Sequence, residues 1–331
     1  MINNELLEPF IRMLKVIADP AQVRAVENGA SAKPMWQEFI ESGFLDALVK
    51  DEKGGAGLSL MDVVPLIEAL GAYTVPLPVA ETMVARALLS DAGVAVPEGP
   101  IAFATAATAG HIVPFGLVAE HILMDAGTML ALVPAHADSF VSTGVYGSLS
   151  ARISCPQMLS DVPENSTCSR PESGLRPLAA ILRTAQIAGV AGRLLDRTAD
   201  YANERKQFGK PIARQQVLQQ NMAVMAEDVV AVRLAAQMGS QEGLAPSVVL
   251  AAIVKSVAST AAARMAATAH AVHGAIGISE EYDLQLLVRR IHESRLADGS
   301  TGYWNRLLGE ARLDKTGRSL DWVRSVAFAA S

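Results

Sequence analysis

Arg205-Lys206-Gln207-Phe208-Gly209-Lys210-Pro211-Ile212 interrupts the most helix-periodic part of the chain. Before it, Ile187, Val190 and Leu194 fall on one helical face. After it, Leu218, Met222, Met225, Val229 and Val232 recur at spacings of 4, 3, 4 and 3, which suits antiparallel bundle packing. The run therefore joins two long helices. Arg205 carries a fixed cation with a planar fork of donors, suited to a diphosphate. An Arg at a helix C-terminus also serves simply to meet the last carbonyls. Gly209 can take the left-handed conformation that ends a helix. Gln216 begins the next helix and offers an amide.

Further on, Ser247 to about His273 reads as a third long helix, so rich in Ala that neighbours can approach closely. It ends in His273-Gly274-Ala275-Ile276-Gly277-Ile278-Ser279-Glu280-Glu281-Tyr282. Glycines here admit a ligand or another backbone. A glycine-ended helix is also commonplace, and His273 reads equally well as a hydrogen-bonded structural residue. A fourth helix is expected from about Asp283 to Leu296, and a fifth from about Thr301 to Ala311. Between them stand Asp298-Gly299-Ser300, after Arg289-Arg290. Asp298 and Ser300 both suit a helix cap, and a catalytic role for Asp298 competes with that reading.

Working toward the N-terminus, the texture changes twice. Residues 1–96 read as a helical domain: Phe10, Met13, Leu14 and Ile17 mark one face, and Trp36, Phe39, Ile40 and Phe44 another. Ser59 with Asp62 three positions on resembles a capping box for a helix that carries Val63, Ile67 and Leu70 and stops at Gly71. Glu81–Ala92 reads as one more helix. Residues 97–172 alternate short apolar runs with turns: Ile101–Thr105, Ile122–Met124, Met129–Val133 and Phe140–Val145. This is the cadence of a small β-domain, with Ser160–Gly174 as its exit loop. Residues 173–331 are expected to form the helical bundle. The expected fold class is mainly α with a small β-domain, in the order helical, β, helical.

Composition narrows the function. Of 331 residues, 50% are apolar and 19% charged, below the usual share of roughly 25%. A disordered chain needs the opposite balance. The net charge of −6 offers no basic field for nucleic acid. The stretch Gly99–Ala119 has no formal charge and is about long enough to cross a membrane. Gly110, His111, Pro114 and Gly116 interrupt it, so a pair of buried strands is expected and no membrane span. The N-terminus lacks a basic leader. Cys155 and Cys168 form neither a disulfide framework nor a zinc site, so a reduced, cytoplasmic setting is expected.

Together the three runs resemble the acyl-CoA dehydrogenase family: Arg-x-x-Phe-Gly-x-Pro-Ile with the spaced Gln216, the His-Gly-x-x-Gly loop with Glu281-Tyr282, and Arg289-Arg290 followed by an acid-Gly-Ser triplet. Gly54-Gly55-Ala56-Gly57-Leu58-Ser59 and Ile67-Glu68-Ala69-Leu70-Gly71 also look like family sequence. The resemblance implies FAD-dependent oxidation of the Cα–Cβ bond of an acyl-CoA. It implies that Arg205, Phe208 and Gln216 reach the diphosphate and adenosine part of an FAD held by the neighbouring subunit. His273, Gly274 and Gly277 would supply backbone contacts to the same FAD. Asp298 aligns with the family's Glu base and Ser300 with the Thr near the flavin. An acyl-CoA substrate, a dimer or tetramer with shared sites and an electron-transfer flavoprotein as acceptor follow from the same resemblance.

The departures point further. No Thr-Glu-Pro or Gly-Ser-Asp signature for the flavin ring occurs; the region reads Ala102-Phe103-Ala104-Thr105-Ala106-Ala107-Thr108-Ala109-Gly110. Ala271 replaces the usual Gln, and Asp298 is one methylene shorter than Glu. Such shortened chains resemble subunits of heteromeric acyl-CoA dehydrogenases of steroid degradation. Three readings stand: a dehydrogenase active alone or with a partner subunit, a non-catalytic subunit completing a partner's FAD site, and an oxidase-like or nitroalkane-oxidase-like flavoenzyme on the same fold.

Overall fold

The computed structural model describes residues 4–154 and 162–327; Cys155 and the start of the expected exit loop lie outside them. Five helices come first: α1 (Asn4–Ile17), α2 (Pro20–Glu27), α3 (Lys33–Ser42), α4 (Leu60–Ala72) and α5 (Val79–Asp91). Local chemistry starts two of them. The Asp19 carboxylate accepts from the Ala21 and Gln22 N–H groups, with Pro20 at the first helical position of α2. Ser59 and Asp62 form the capping box that their spacing predicts, each side chain accepting the other's backbone N–H.

Helix α4 does not stop at Gly71. It runs on to Ala72, and Gly71 serves a different purpose. A Cβ on Gly71 would collide with the Gln186 carbonyl, and one on Gly189 with the Glu68 carbonyl. Both glycines lie where α4 crosses α6 (Leu175–Glu204), so the two backbones touch.

The middle strands form two small sheets. The first runs β1 (Ile101–Ala104), β3 (His121–Asp125), β4 (Met129–Pro134), β7 (Thr167–Ser169). The pair β1/β3 is parallel and the others antiparallel. The second runs β2 (Ile112–Val113), β6 (Ala151–Ile153), β5 (Phe140–Ser142). Period-two alternation sorts the first sheet's side chains. Ile101, Phe103, Leu123 and Leu130 join the core of the helices. Ala102, Ala104, Ile122 and Met124 form a second core with Val113, Ala151 and Ile153 of the other sheet. The stretch Gly99–Ala119 thus holds strands, though Ile112 of β2 faces outward. The expected exit loop contains β7, whose buried Cys168 pairs with Leu130; three residues are too few for their alternation to stand out in sequence.

Beyond α6, the bundle comprises α7 (Gln216–Gly239), α8 (Val248–His273), α9 (Leu284–Leu296) and α10 (Thr301–Leu313), followed by α11 (Ser319–Ala327). Helix α6 is the central element and packs on α4, α7, α8 and α9. Among the described residues two helical stretches, Leu175–Glu204 and Val248–Ile278, are long and apolar enough to cross a membrane, and 89% of the qualifying stretch of the first is buried inside the molecule. Ala251, Ala258, Ala262 and Ala266 of α8 are buried, which lets α6 and α7 lie close against it.

Candidate functional site

Helix α9 ends at Leu296 and the chain turns sharply into α10. Asp298 at φ 57° and Gly299 at φ 114° make the turn. Asp tolerates the left-handed region better than most side chains. Ser300 takes the cap of α10, its hydroxyl accepting the Tyr303 N–H at 3.4 Å. That leaves the Asp298 side chain to another partner. Its Oδ2 accepts from Arg183 Nε at 3.0 Å, and its side chain is 2% exposed. No other hydrogen bond to this carboxylate occurs among the described residues.

Arg183 lies on α6, and each of its three nitrogens faces a partner. One terminal nitrogen stands 2.6 Å from Oε1 of Glu81 on α5, and the other donates to Gln186 Oε1 at 2.8 Å. Its guanidinium also lies over the Phe115 ring, 5.3 Å from the centroid. Burial pushes the Glu81 carboxyl pKa up, against the pull of Arg183. Lys255, fully buried on α8, donates to the Ser294 carbonyl near the end of α9 and to Ser259 Oγ on its own helix. Burial lowers its pKa to about 7 even though Asp298 attracts its charge.

Arg183 and Asp298 border a cavity of about 790 Å³ between the β-strands and the bundle. Asp298, Ser300, Arg176, His111, Thr105 and Phe115 are on its wall. Arg176 donates to Tyr303 Oη at 3.0 Å and Thr105 Oγ1 at 3.3 Å. Arg289 and Arg290, also on the wall, are held by Glu27 at 2.6 and 3.0 Å. Arg152, Arg176, Arg183, Arg289 and Arg290 thus share the wall with Asp298 and Glu293.

The other candidates lie elsewhere. Arg205 is the C-cap residue of α6. It leads into the hairpin β8 (Lys206–Gln207) and β9 (Lys210–Pro211), whose two turn residues Phe208 and Gly209 have φ 52° and 76°. Positive φ at both positions matches a tight two-residue hairpin, but Phe is an unfavourable residue there. Phe208 is 98% exposed. Gln216 opens α7 on the same outer surface. His273 is buried instead, stacked on Tyr201 at 4.4 Å, with Nδ1 2.8 Å from the Ala269 carbonyl. Gly274 is exposed at φ 64°, and Gly277 is buried against His273 and Leu284. A small core of Ala202, Ile212 and Val272 ties the hairpin base to the end of α8. The structure thus brings Asp298 and Ser300 together at the cavity, and the other six candidates together at one end of the bundle.

Arg183, Glu81 and Lys255 escaped the sequence reading. Their one signal is charge inside an apolar helical run, since such residues are rarely fully buried unless paired.

Residues 178–313 match the family described as acyl-CoA dehydrogenase, C-terminal domain. Acyl-CoA dehydrogenase IpdE2 of Mycolicibacterium smegmatis is 30% identical over 301 residues, covering 88% of this chain and 93% of that protein. The ChsE4-ChsE5 complex from Mycobacterium tuberculosis contains a chain that superposes with TM-score 0.79 at 20% identity, covering 95% and 97% of the two chains. Butyryl-CoA dehydrogenase from Megasphaera elsdenii gives TM-score 0.73 at 19% identity, covering 94% and 98%.

Proposed function

We propose a function from one premise: this chain belongs to the acyl-CoA dehydrogenase family. It takes part in FAD-dependent α,β-dehydrogenation of an acyl-CoA thioester, as one subunit of an oligomer with shared FAD sites. The observation that carries this reading is the Asp298 carboxylate on the cavity wall, with one oxygen held by Arg183 and the other without a partner among the described residues. Asp298 takes the acidic α-proton of the thioester. FAD, when bound, supplies the acceptor for the β-hydride.

The residues present fit FAD. The Arg205 side chain has no hydrogen-bond partner among the described residues, and Gln216 stands at the N-terminus of a 24-residue helix. A free guanidinium beside a helix N-terminus makes a diphosphate site. Phe208 lies fully exposed beside them, where an adenine held by a neighbouring subunit can stack. Gly274 leaves its backbone open to the same ligand. Ser300 adds a hydroxyl on the cavity side. An electron-transfer flavoprotein serves as acceptor, in the cytoplasm.

A second reading, a non-catalytic partner subunit, is favoured by Ala102–Gly110, which lacks the family's ring-contact signature. The ChsE4-ChsE5 structure, a complex of two differently named chains, supports a heteromeric arrangement under either reading.

Arg205→Ala is expected to weaken FAD retention in the assembled oligomer by about 1.5–3 kcal/mol, the usual loss for a charged hydrogen bond. Equilibrium dialysis of FAD against wild type and variant measures it. Equal affinity would remove Arg205 from the diphosphate site.

A further inference from the structure

We propose that Arg183 is a positioning residue, anchored by Glu81 and Gln186 so that it holds one oxygen of Asp298 and leaves the other for substrate. This deepens the function above and rests on Asp298 being the base.

The geometry carries the assignment. Each nitrogen of the Arg183 guanidinium has its own partner: Asp298 on Nε, Glu81 on one terminal nitrogen and Gln186 on the other. A planar group held at three points cannot rotate. The Phe115 ring covers it, from a residue that itself sits at φ 60°. The backbone of Asp298 is fixed separately. Lys255 and Ser259 of α8 grip the Ser294 and Arg295 carbonyls just before the turn. Asp298 therefore reaches the cavity with both its main chain and one oxygen set.

Stability alone does not explain the cluster. A buried ion pair commonly gains nothing over apolar residues of similar volume. Here a single guanidinium faces two buried carboxylates. Glu81 is not on the cavity wall; its place is behind Arg183, as the counter-anchor. Arg176, which is on the wall, has only neutral hydrogen-bond partners and does not touch Asp298. Among the described residues, Arg183 is thus the one cation paired with the base.

The test uses the FAD-loaded oligomer and two readings per variant. Deuterium exchange into the α-position of butyryl-CoA, octanoyl-CoA and cyclohexanecarbonyl-CoA is followed by NMR, and affinity for each thioester by dialysis. Arg183→Met is expected to slow exchange by about 100-fold, the cost of a base misplaced by roughly 1 Å, with affinity unchanged. Arg183→Lys restores part of the rate. If Arg183→Met does not fold, Arg183→Met with Glu81→Gln removes the stranded carboxylate and carries the same expectation. Wild-type exchange in the folded variant overturns the proposal, and so does a loss confined to affinity. No exchange in wild type, or full exchange in Asp298→Asn, brings down the base assignment itself. Loss in Asp298→Asn with full exchange in Arg183→Met brings down the positioning role alone.

Discussion

Asp298→Asn is expected to slow α-proton exchange of a bound acyl-CoA by about 10²–10⁴-fold, the span that a positioned general base contributes. The amide has nearly the carboxylate's shape but cannot accept a proton from carbon. Its carbonyl can still accept from Arg183 Nε. The variant also tolerates burial well. In the wild type, Arg183 stands between Glu81 and Asp298, one cation for two acids, all about 3% exposed or less. Removing the charge of Asp298 leaves Arg183 and Glu81 as a matched pair, so the fold is expected to persist. Acyl-CoA affinity is expected to stay near wild type, because the ligand's binding contacts come from the rest of the cavity. Full exchange in this variant would take Asp298 out of the chemistry.

Gly189→Ala is expected to cost about 3 kcal/mol or more, at the high end for inserting a methyl into a packed core. The new Cβ meets the Glu68 carbonyl and the Ala72 nitrogen, both backbone atoms of α4. Neither can move without displacing the helix. The contrast is Gly192, one turn further along α6, where a Cβ would meet the tip of the Arg233 side chain at 2.9 Å. That tip can swing aside, and Gly192→Ala is expected to be close to neutral. Urea denaturation of the two variants side by side measures the difference. Equal midpoints would mean that the α4–α6 crossing is looser than its geometry indicates.

These glycines show where sequence reading succeeds and where it stops. The Ser59–Asp62 box is local, so neighbouring letters suffice to place it. The long bundle helices follow from periodicity, as do β1, β3 and β4. Gly71 looks like a helix stop because stops are a common use of glycine. Its actual partner is a carbonyl on α6, more than a hundred residues away, and nothing nearby announces it. The hairpin at Phe208-Gly209 is hidden for another reason: a bulky aromatic at positive φ contradicts turn preferences, as residues held in place for a ligand often do.

The site was legible to a similar depth. Asp298 and Ser300 stood out as an acid and a hydroxyl around a glycine, but the sequence left both as possible caps. The fold separates them: Ser300 caps α10, and Asp298 turns to Arg183. Arg183 itself was invisible, since helical periodicity identifies an apolar face without saying what a rare charge on that face meets. Its partner Asp298 lies 115 residues further on. The resemblance implied backbone contacts from the His273 loop; the sequence did not show that the His273 ring itself is buried, stacked on Tyr201 and tilted against Tyr282.

The measurement that bears most directly on the function is the visible spectrum of the FAD-loaded protein, with a second subunit added if it is needed to retain the flavin, titrated anaerobically with acyl-CoA thioesters. Bleaching of the flavin band, with formation of the enoyl-CoA, is the predicted result. A flavin that stays oxidised with every thioester that binds would contradict acyl-CoA dehydrogenation in this site.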